Sequence, residues 1–202
     1  MFTYSFRWDI IATNLPFLMS GLQTTLIVSA LTLVLAMMGG HVLASLDMSR
    51  YWPLRAIGIG FGEIVRNTPI LVQLLWAYYV LPIVFGINLS AFAALVIGLS
   101  IYSSAFIGEV YRAGIQAVPK GHREAAQVLG MTPFQSFRRI VLPQAVRMTL
   151  PPLAANFVQL IKYSSLGSVI SVAEITRRGM ELSSSTFLSL IHISEPTRLG
   201  MI

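Results

Sequence analysis

The sequence predicts an all-α polytopic membrane protein, with four visible transmembrane helices and a polar helical hairpin between the third and the fourth. Three observations carry that prediction. Hydrophobic residues make up 55% of the 202-residue chain and charged ones only 11%, with a mean hydropathy of +0.72, far from the composition of a soluble domain. Two tracts, residues 10–46 and 67–108, carry no charge apart from any on His41, and each exceeds the roughly 20 apolar residues a helix needs to cross a bilayer. The remaining charge is mostly basic, 14 Lys and Arg against 8 Asp and Glu, and it gathers at the ends of the apolar stretches. That placement follows the positive-inside rule for cytoplasmic loops and argues against a nucleic-acid surface. Cysteine is absent, which excludes disulfides and thiolate metal sites.

Residues 1–16 set Phe2, Tyr4, Phe6 and Trp8 around Arg7 and Asp9, which suits a short helix lying in the membrane interface; a frayed terminus is the alternative. The first span is placed at residues 21–46, too long for a signal-peptide core of about 7–15 residues. Its Gly39-Gly40 pair permits close helix packing. A basic loop with Arg50 and Arg55 follows. The second span covers residues 58–81 and the third 90–111, separated by Pro82, Gly86 and Asn88, which supply turn chemistry. A polar segment, residues 112–147, leads to a fourth span over 150–172 that contains Lys162. The two basic segments are separated by two spans and so share the cytoplasmic side, leaving the N-terminus outside. By the same count residues 174–182 ("EITRRGMEL") are external, with Glu174 and Glu181 set against Arg177 and Arg178.

A fifth span is expected after residue 190 and is truncated or replaced. The stretch "IHISEPTRLGMI" (residues 191–202) offers only polar and turn-forming residues and resembles a translated sequencing-adapter read-through. The membrane domain is accordingly taken as residues 1–190, and 191–202 as a non-native tail.

The polar segment is patterned as two short amphipathic helices. Pro119 suits a first helical position, residues 121–129 ("GHREAAQVL") are rich in helix formers, and Gly130 ends the run as a cap. Thr132 then opens a second helix as N-cap, with Pro133 first and Gln135 at the capping-box position, and Leu142-Pro143 closes it. Glu124-Ala125-Ala126, Gly130, Ile140 and Leu142-Pro143 stand at the spacing of the cytoplasmic EAA signature, so the segment resembles the coupling loop of ABC-importer permeases.

That resemblance implies docking into a cleft on a cytoplasmic ATPase subunit, through Glu124, Ala125, Ala126, Leu129, Gly130, Ile140, Leu142 and Pro143. Small Ala125 and Ala126 would allow close approach, Leu129 an apolar face, Glu124 a charge for the partner, and Gly130 a turn that a Cβ would oppose. Phe134 and Phe137 are expected to pack against the chain's own spans. Residues 63–76 ("EIVRNTPILVQLLW"), 108–121 ("GEVYRAGIQAVPKG") and 156–175 ("NFVQLIKYSSLGSVISVAEI") are similar to the branch of that family serving histidine, glutamine, glutamate, arginine and opines. The likeness runs from residue 8 to 190. One position departs from it, since the branch often has an acid directly after the lysine of the fourth span and here that place is Tyr163.

Lys162 lies about 11 residues into the fourth span, roughly 16 Å deep. A lysine there is costly unless it meets water or a partner. Two readings stand: it lines the translocation cavity and attracts a substrate carboxylate, or it caps carbonyls of an unwound stretch near Ser164, Ser165 and Gly167. Glu63 and Arg66 read as a helix-surface ion pair. Asn67, Thr68 and Gln73 are candidates for the polar path, or for interhelical hydrogen bonds.

The resemblance thus implies the permease subunit of an ATP-binding-cassette importer for polar amino acids in the bacterial inner membrane. It implies as partners an ATPase subunit holding ATP and Mg, a second permease copy or sister subunit, a periplasmic or lipoprotein solute-binding protein, and membrane lipid. No GxxxxGK[ST] phosphate loop occurs, so the chain is not itself an ATPase, and no cofactor or metal is expected on it. An ion-coupled secondary transporter would place carboxylates or inverted repeats near the membrane middle, whereas Glu63 and Glu109 lie at span ends. A non-transporting scaffold would share the hairpin without needing polar, partly unwound spans.

Overall fold

The computed structural model describes residues 8–185. The expectations for residues 1–7 and for the tail from Ile191 lie outside the described residues. Among those described, helices account for all regular structure. A short α1 (Trp8–Thr13) leads into α2 (Leu15–Asp47), which starts earlier than expected because Pro16 sits in its first turn, where a missing N–H costs nothing. Two described helices are long and apolar enough to cross a membrane, α2 and the later Ala91–Gln116, and a sharply bent pair between them would make a third.

That bent pair corrects the second span. α3 (Trp52–Asn67) already includes Arg55, which was placed in a loop, and it ends at Thr68-Pro69. The chain turns by 102° into α4 (Ile70–Leu75), a π turn (Trp76–Val80) and α5 (Leu81–Phe85). Pro69 is the cause: it has no N–H, and its ring pushes Thr68 to extended backbone, φ −100° and ψ 131°. The loop that follows begins at Gly86, whose φ of 67° is left-handed. Ser90 then caps α6 (Ala91–Gln116), accepting a hydrogen bond from the Ala93 amide at 3.2 Å.

α7 (Lys120–Val128) and α8 (Pro133–Ser136) form the polar hairpin, with Pro119 as N-cap rather than first helical residue. Leu142-Pro143 does not close the second helix as expected. A π turn (Phe137–Val141) carries α8 without interruption into α9 (Leu142–Tyr163). The same device stands before Leu81-Pro82: a proline lacks an N–H and crowds the carbonyl one turn back, and the wider π turn relieves that crowding. The fourth helix therefore begins at Leu142, not near residue 150, and Pro151 and Pro152 lie inside it. It gives way to a 3-10 stretch (Ser164–Ile170), ending at Ser171 with φ 66°, where unwinding was anticipated. α10 (Ile175–Ser185) then folds back over the start of α2.

α2 and α6 make the most extensive pairing in the chain. The stripe α2 buries is mostly of small residues, Gly21, Thr25, Ser29, Thr32, Ala36, Gly40 and Ala44, at helical spacing. Gly39 and Gly40 do allow close packing, against Ser104, Ile107 and Gly108 of α6. Val28, Leu74, Leu95, Leu99, Leu160 and Ile170 close the main core, while Val118, Val141 and Ala145 form a second cluster under the polar hairpin.

A Cβ on Gly40 would stand 2.8 Å from Ile107 Cγ2 and 2.9 Å from the backbone nitrogen of Gly108, which cannot yield. Gly40→Leu is expected to lower the stability of the detergent-solubilised protein by about 1–3 kcal/mol. A thermal-unfolding midpoint reads this, with Gly60→Ala, where nothing lies within 4 Å, as the variant that should show no loss.

Candidate functional site

The turn of the hairpin is closed on both sides, at the C-terminus of α7 and the N-terminus of α8, whereas Pro119 gives the start of α7 no side-chain cap. The Met131 amide donates to Ala126 O and the Gly130 amide to Gln127 O, a paired C-terminal closure that needs the positive φ of 70° found at Gly130. Thr132 and Gln135 exchange hydrogen bonds, at 3.0 and 3.3 Å, and make the capping box complete. Two longer contacts fasten α7 to the bundle. Arg123 Nη2 donates to Ile115 O near the end of α6 at 2.8 Å, and His122 Nδ1 lies 2.9 Å from Gln144 Oε1 on α9.

Burial sorts the signature residues. Ala126 is fully buried within the chain, so its small side chain serves packing of α7 on its own protein, whereas Glu124 and Ala125 are exposed. Leu129 is 77% exposed, and beside it Val128 is 88% and Phe134 70% exposed, so the hairpin tip carries three apolar side chains into solvent. Phe134 was expected to pack on the chain's own spans and does not. Phe137, though 39% exposed, lines an apolar groove of about 430 Å³ with His41, Tyr111, Ile115, Leu142 and Thr149. Ile140 is half-buried, and Leu142 and Pro143 are exposed on the flank of α9. Sequence reasoning missed Val128 and both tethers. Val128 had a usable signal in its place beside Leu129, while a contact such as His122 to Gln144 has none.

The other candidates gather at the bend between α3 and α4. Gln73 Nε2 donates to Val65 O at 2.8 Å and Thr68 O at 3.0 Å, Thr68 Oγ1 donates to Ile64 O, and Asn67 Nδ2 to Glu63 O. These side chains satisfy carbonyls that the break leaves without amide partners. Arg66 pairs with Glu63 at 2.7 Å as expected, and it also donates to Ala105 O and approaches Glu109, tying α3 to α6. Arg112 pairs with Glu109 in turn. With Asp47 and Arg55 these residues line a polar cleft of about 380 Å³. Lys162 is not brought to this group. It sits exposed in the last turn of α9, without an ion-pair partner among the described residues, and beside it Tyr163 meets Tyr102 edge-on with ring centres 5.6 Å apart.

Compared with known proteins, residues 33–191 match the family described as binding-protein-dependent transport system inner membrane component. The chain belongs to that family. Among its relatives, the glutamine transport system permease protein GlnP of Escherichia coli (strain K12) is 35% identical over 186 residues, covering 92% of this chain and 85% of that one. The L-cystine transport system permease protein TcyB of Bacillus subtilis (strain 168) is 37% identical over 176 residues, covering 87% and 75%. The crystal structure of an amino acid ABC transporter with histidines superposes with a TM-score of 0.85 at 38% identity, over 95% of this chain and 90% of that one. The protein is therefore a permease subunit of an ABC transporter and not an enzyme.

In this permease one further acid stands out. Glu174 is fully buried, and its two carboxylate oxygens accept from the Thr176 and Arg177 amides at 2.8 and 2.7 Å, so it caps α10. Thr25 Oγ1 of α2 accepts from the next free amide, that of Ile175, and Arg178 lies 4.4 Å over the Phe17 ring. Glu181 pairs with both Arg177 and Arg178; the hydrogen bond from Arg177 is the main reason its carboxyl is held below the ordinary range. The expected balance of these charges thus divides into a cap and an ion pair. Glu174→Ala should loosen α10 by about 1 kcal/mol, and hydrogen exchange should speed up at the Thr176 and Arg177 amides while α6 amides keep their protection.

Proposed function

We propose that this permease moves polar amino acids into the cell, driven by a separate ATPase subunit that docks on the α7–α8 hairpin and holds ATP and Mg. The observation that carries the reading is the hairpin tip: Val128, Leu129 and Phe134 stand exposed around a capped turn, with Glu124 exposed on α7. Three apolar side chains held in water around a capped turn suit insertion into a partner's groove. In this reading Ala125 faces the partner, Ala126 and Gly130 shape the hairpin, and Ile140, Leu142 and Pro143 join it to α9.

Four spans, formed by α2, the bent α3–α5 unit, α6 and α9, lie in the inner membrane with the N-terminus outside and the hairpin in the cytoplasm. Basic residues on and beside the hairpin, Lys120, Arg123, Arg138 and Arg139, support that orientation. A second permease copy or sister subunit completes the path, and a periplasmic or lipoprotein solute-binding protein supplies substrate. Residues 1–190 form the permease unit, supported by the family match ending at residue 191, and 191–202 stand apart from it. Glutamine and cystine are named for relatives, and the polar amino-acid class is carried over from them. Lys162 is the candidate contact for a substrate carboxylate. Asn67, Thr68 and Gln73 line the approach chiefly by holding the bend open. The ion-coupled alternative loses ground, since Glu63 and Glu109 are engaged by Arg66 and Arg112.

Two measurements test this. In vesicles containing the reconstituted complex, Glu124→Lys and Gly130→Asp are expected to abolish ATP-dependent amino-acid uptake, and intact uptake with either would refute the docking. Lys162→Met is expected to weaken substrate affinity about tenfold, as for loss of a charge-assisted hydrogen bond. Unchanged uptake and affinity would leave Lys162 a structural role only.

A further inference from the structure

The hairpin is useful to a transporter only if its displacement reaches the membrane, and, besides the helical continuity of α8 with α9, two side-chain routes lead from α7 to the bundle. Arg123 holds Ile115 O, a backbone carbonyl near the end of α6. His122 holds the Gln144 side chain, on the first turn of α9. The second route is the one that leads to Lys162, because α9 runs as one helix from Leu142 to Tyr163. We propose that the His122–Gln144 hydrogen bond is the joint through which movement of α7 is imposed on α9, so that these are positioning residues for transport. This rests on the docking of the hairpin proposed above.

The geometry sets the joint's chemistry. Gln144 Nε2 donates to Ile140 O at 2.8 Å, inside the π turn, which orients the amide so that its oxygen faces the imidazole. His122 must therefore donate from Nδ1 to Gln144 Oε1 across 2.9 Å. A protonated ring donates from the same atom, so the joint holds in either charge state. Gln144 is anchored at one end and half-buried, and cannot follow His122 without dragging the backbone at Ile140. The small cluster of Val118, Val141 and Ala145, with Ile115 of α6 against it, packs the α6–α7 connection, the π turn and α9 together. A pull on Gln144 thus acts on a packed unit, alongside the packing of the buried Ala126 of α7.

His122 is exposed, so its truncation should leave the fold intact. The test uses the whole complex in vesicles, with L-glutamine as probe, measuring ATP hydrolysis and uptake together. His122→Ala should retain ATPase association and hydrolysis, yet take up about fivefold less substrate per ATP, the scale of one neutral hydrogen bond. His122→Asn, whose amide nitrogen can donate from nearly the place of Nδ1, should restore the ratio. Gln144→Ala should match His122→Ala, and the double variant should lose no more than either alone. An unchanged ratio in His122→Ala, no rescue by Asn, or additive losses in the double variant would each overturn the proposal. Loss of ATPase association with Glu124→Lys, together with a normal ratio in His122→Ala, would leave docking standing and remove the joint. If Glu124→Lys still associates and transports, the docking itself fails.

Discussion

In hydrocarbon a backbone amide or carbonyl has no water to turn to, and each unpaired one costs several kcal/mol. That constraint governs every irregular feature of this permease. At Thr68-Pro69 the bend exposes carbonyls of α3, and Asn67, Thr68 and Gln73 return side chains to them. Before Pro82 and Pro143 the helix does not break but widens by a residue, and the Leu81 and Leu142 amides reach Trp76 O and Phe137 O. Where α9 loosens into a 3-10 stretch, Ser164, Ser165 and Ser168 each donate to a carbonyl three residues back. Polar residues in these spans are thus mostly committed to the backbone, and Lys162, exposed in the last turn of α9, is one that is not.

The same economy applies to charge. Glu63, Glu109, Glu174 and Glu181 each have a basic group or a helix N-terminus as partner. Pairing of this kind across α3 and α6 fixes the position of a bent element that has little buried apolar surface of its own, since only Gly58, Gly62 and Val65 of α3 are buried. Arg66 is central to it, with one guanidinium reaching Glu63, Glu109 and a backbone carbonyl. A single lysine in that place would supply the charge without the fork.

Much of this was legible in the sequence, for identifiable reasons. Charge-free tracts located α2 and α6, and Gly130, Thr132 and Gln135 announced their caps because capping is local chemistry. Gly39-Gly40 announced close packing for the same reason. What stayed hidden depends on context. Thr68-Pro69 sits within an apolar run, and hydropathy averages over a proline whose effect is geometric. Leu142-Pro143 looks like a stop signal, and only the π turn before it, formed with the bundle in place, lets the helix continue. Phe134, expected against the spans, is exposed, and Ala126 is buried within the chain, since composition does not say which face of a short helix meets its own protein.

That last point bears on how such a hairpin can transmit force. A docking element that is merely exposed would rock on its connections, and the energy of a partner's closure would be lost in the loop. Here the slack has been removed at each junction. Gly130 and Thr132 lock the turn between α7 and α8, and the π turn joins α8 to α9 with no break. From Pro133 to Tyr163 the chain is one helical rod, tied near its base to α7 through Gln144. Irregular backbone lies instead at the far end, where the 3-10 stretch and the left-handed Ser171 follow Lys162, and at the bend beside Gln73. The placement of the prolines and serines, more than the apolar composition of the spans, is what makes this bundle suited to transport.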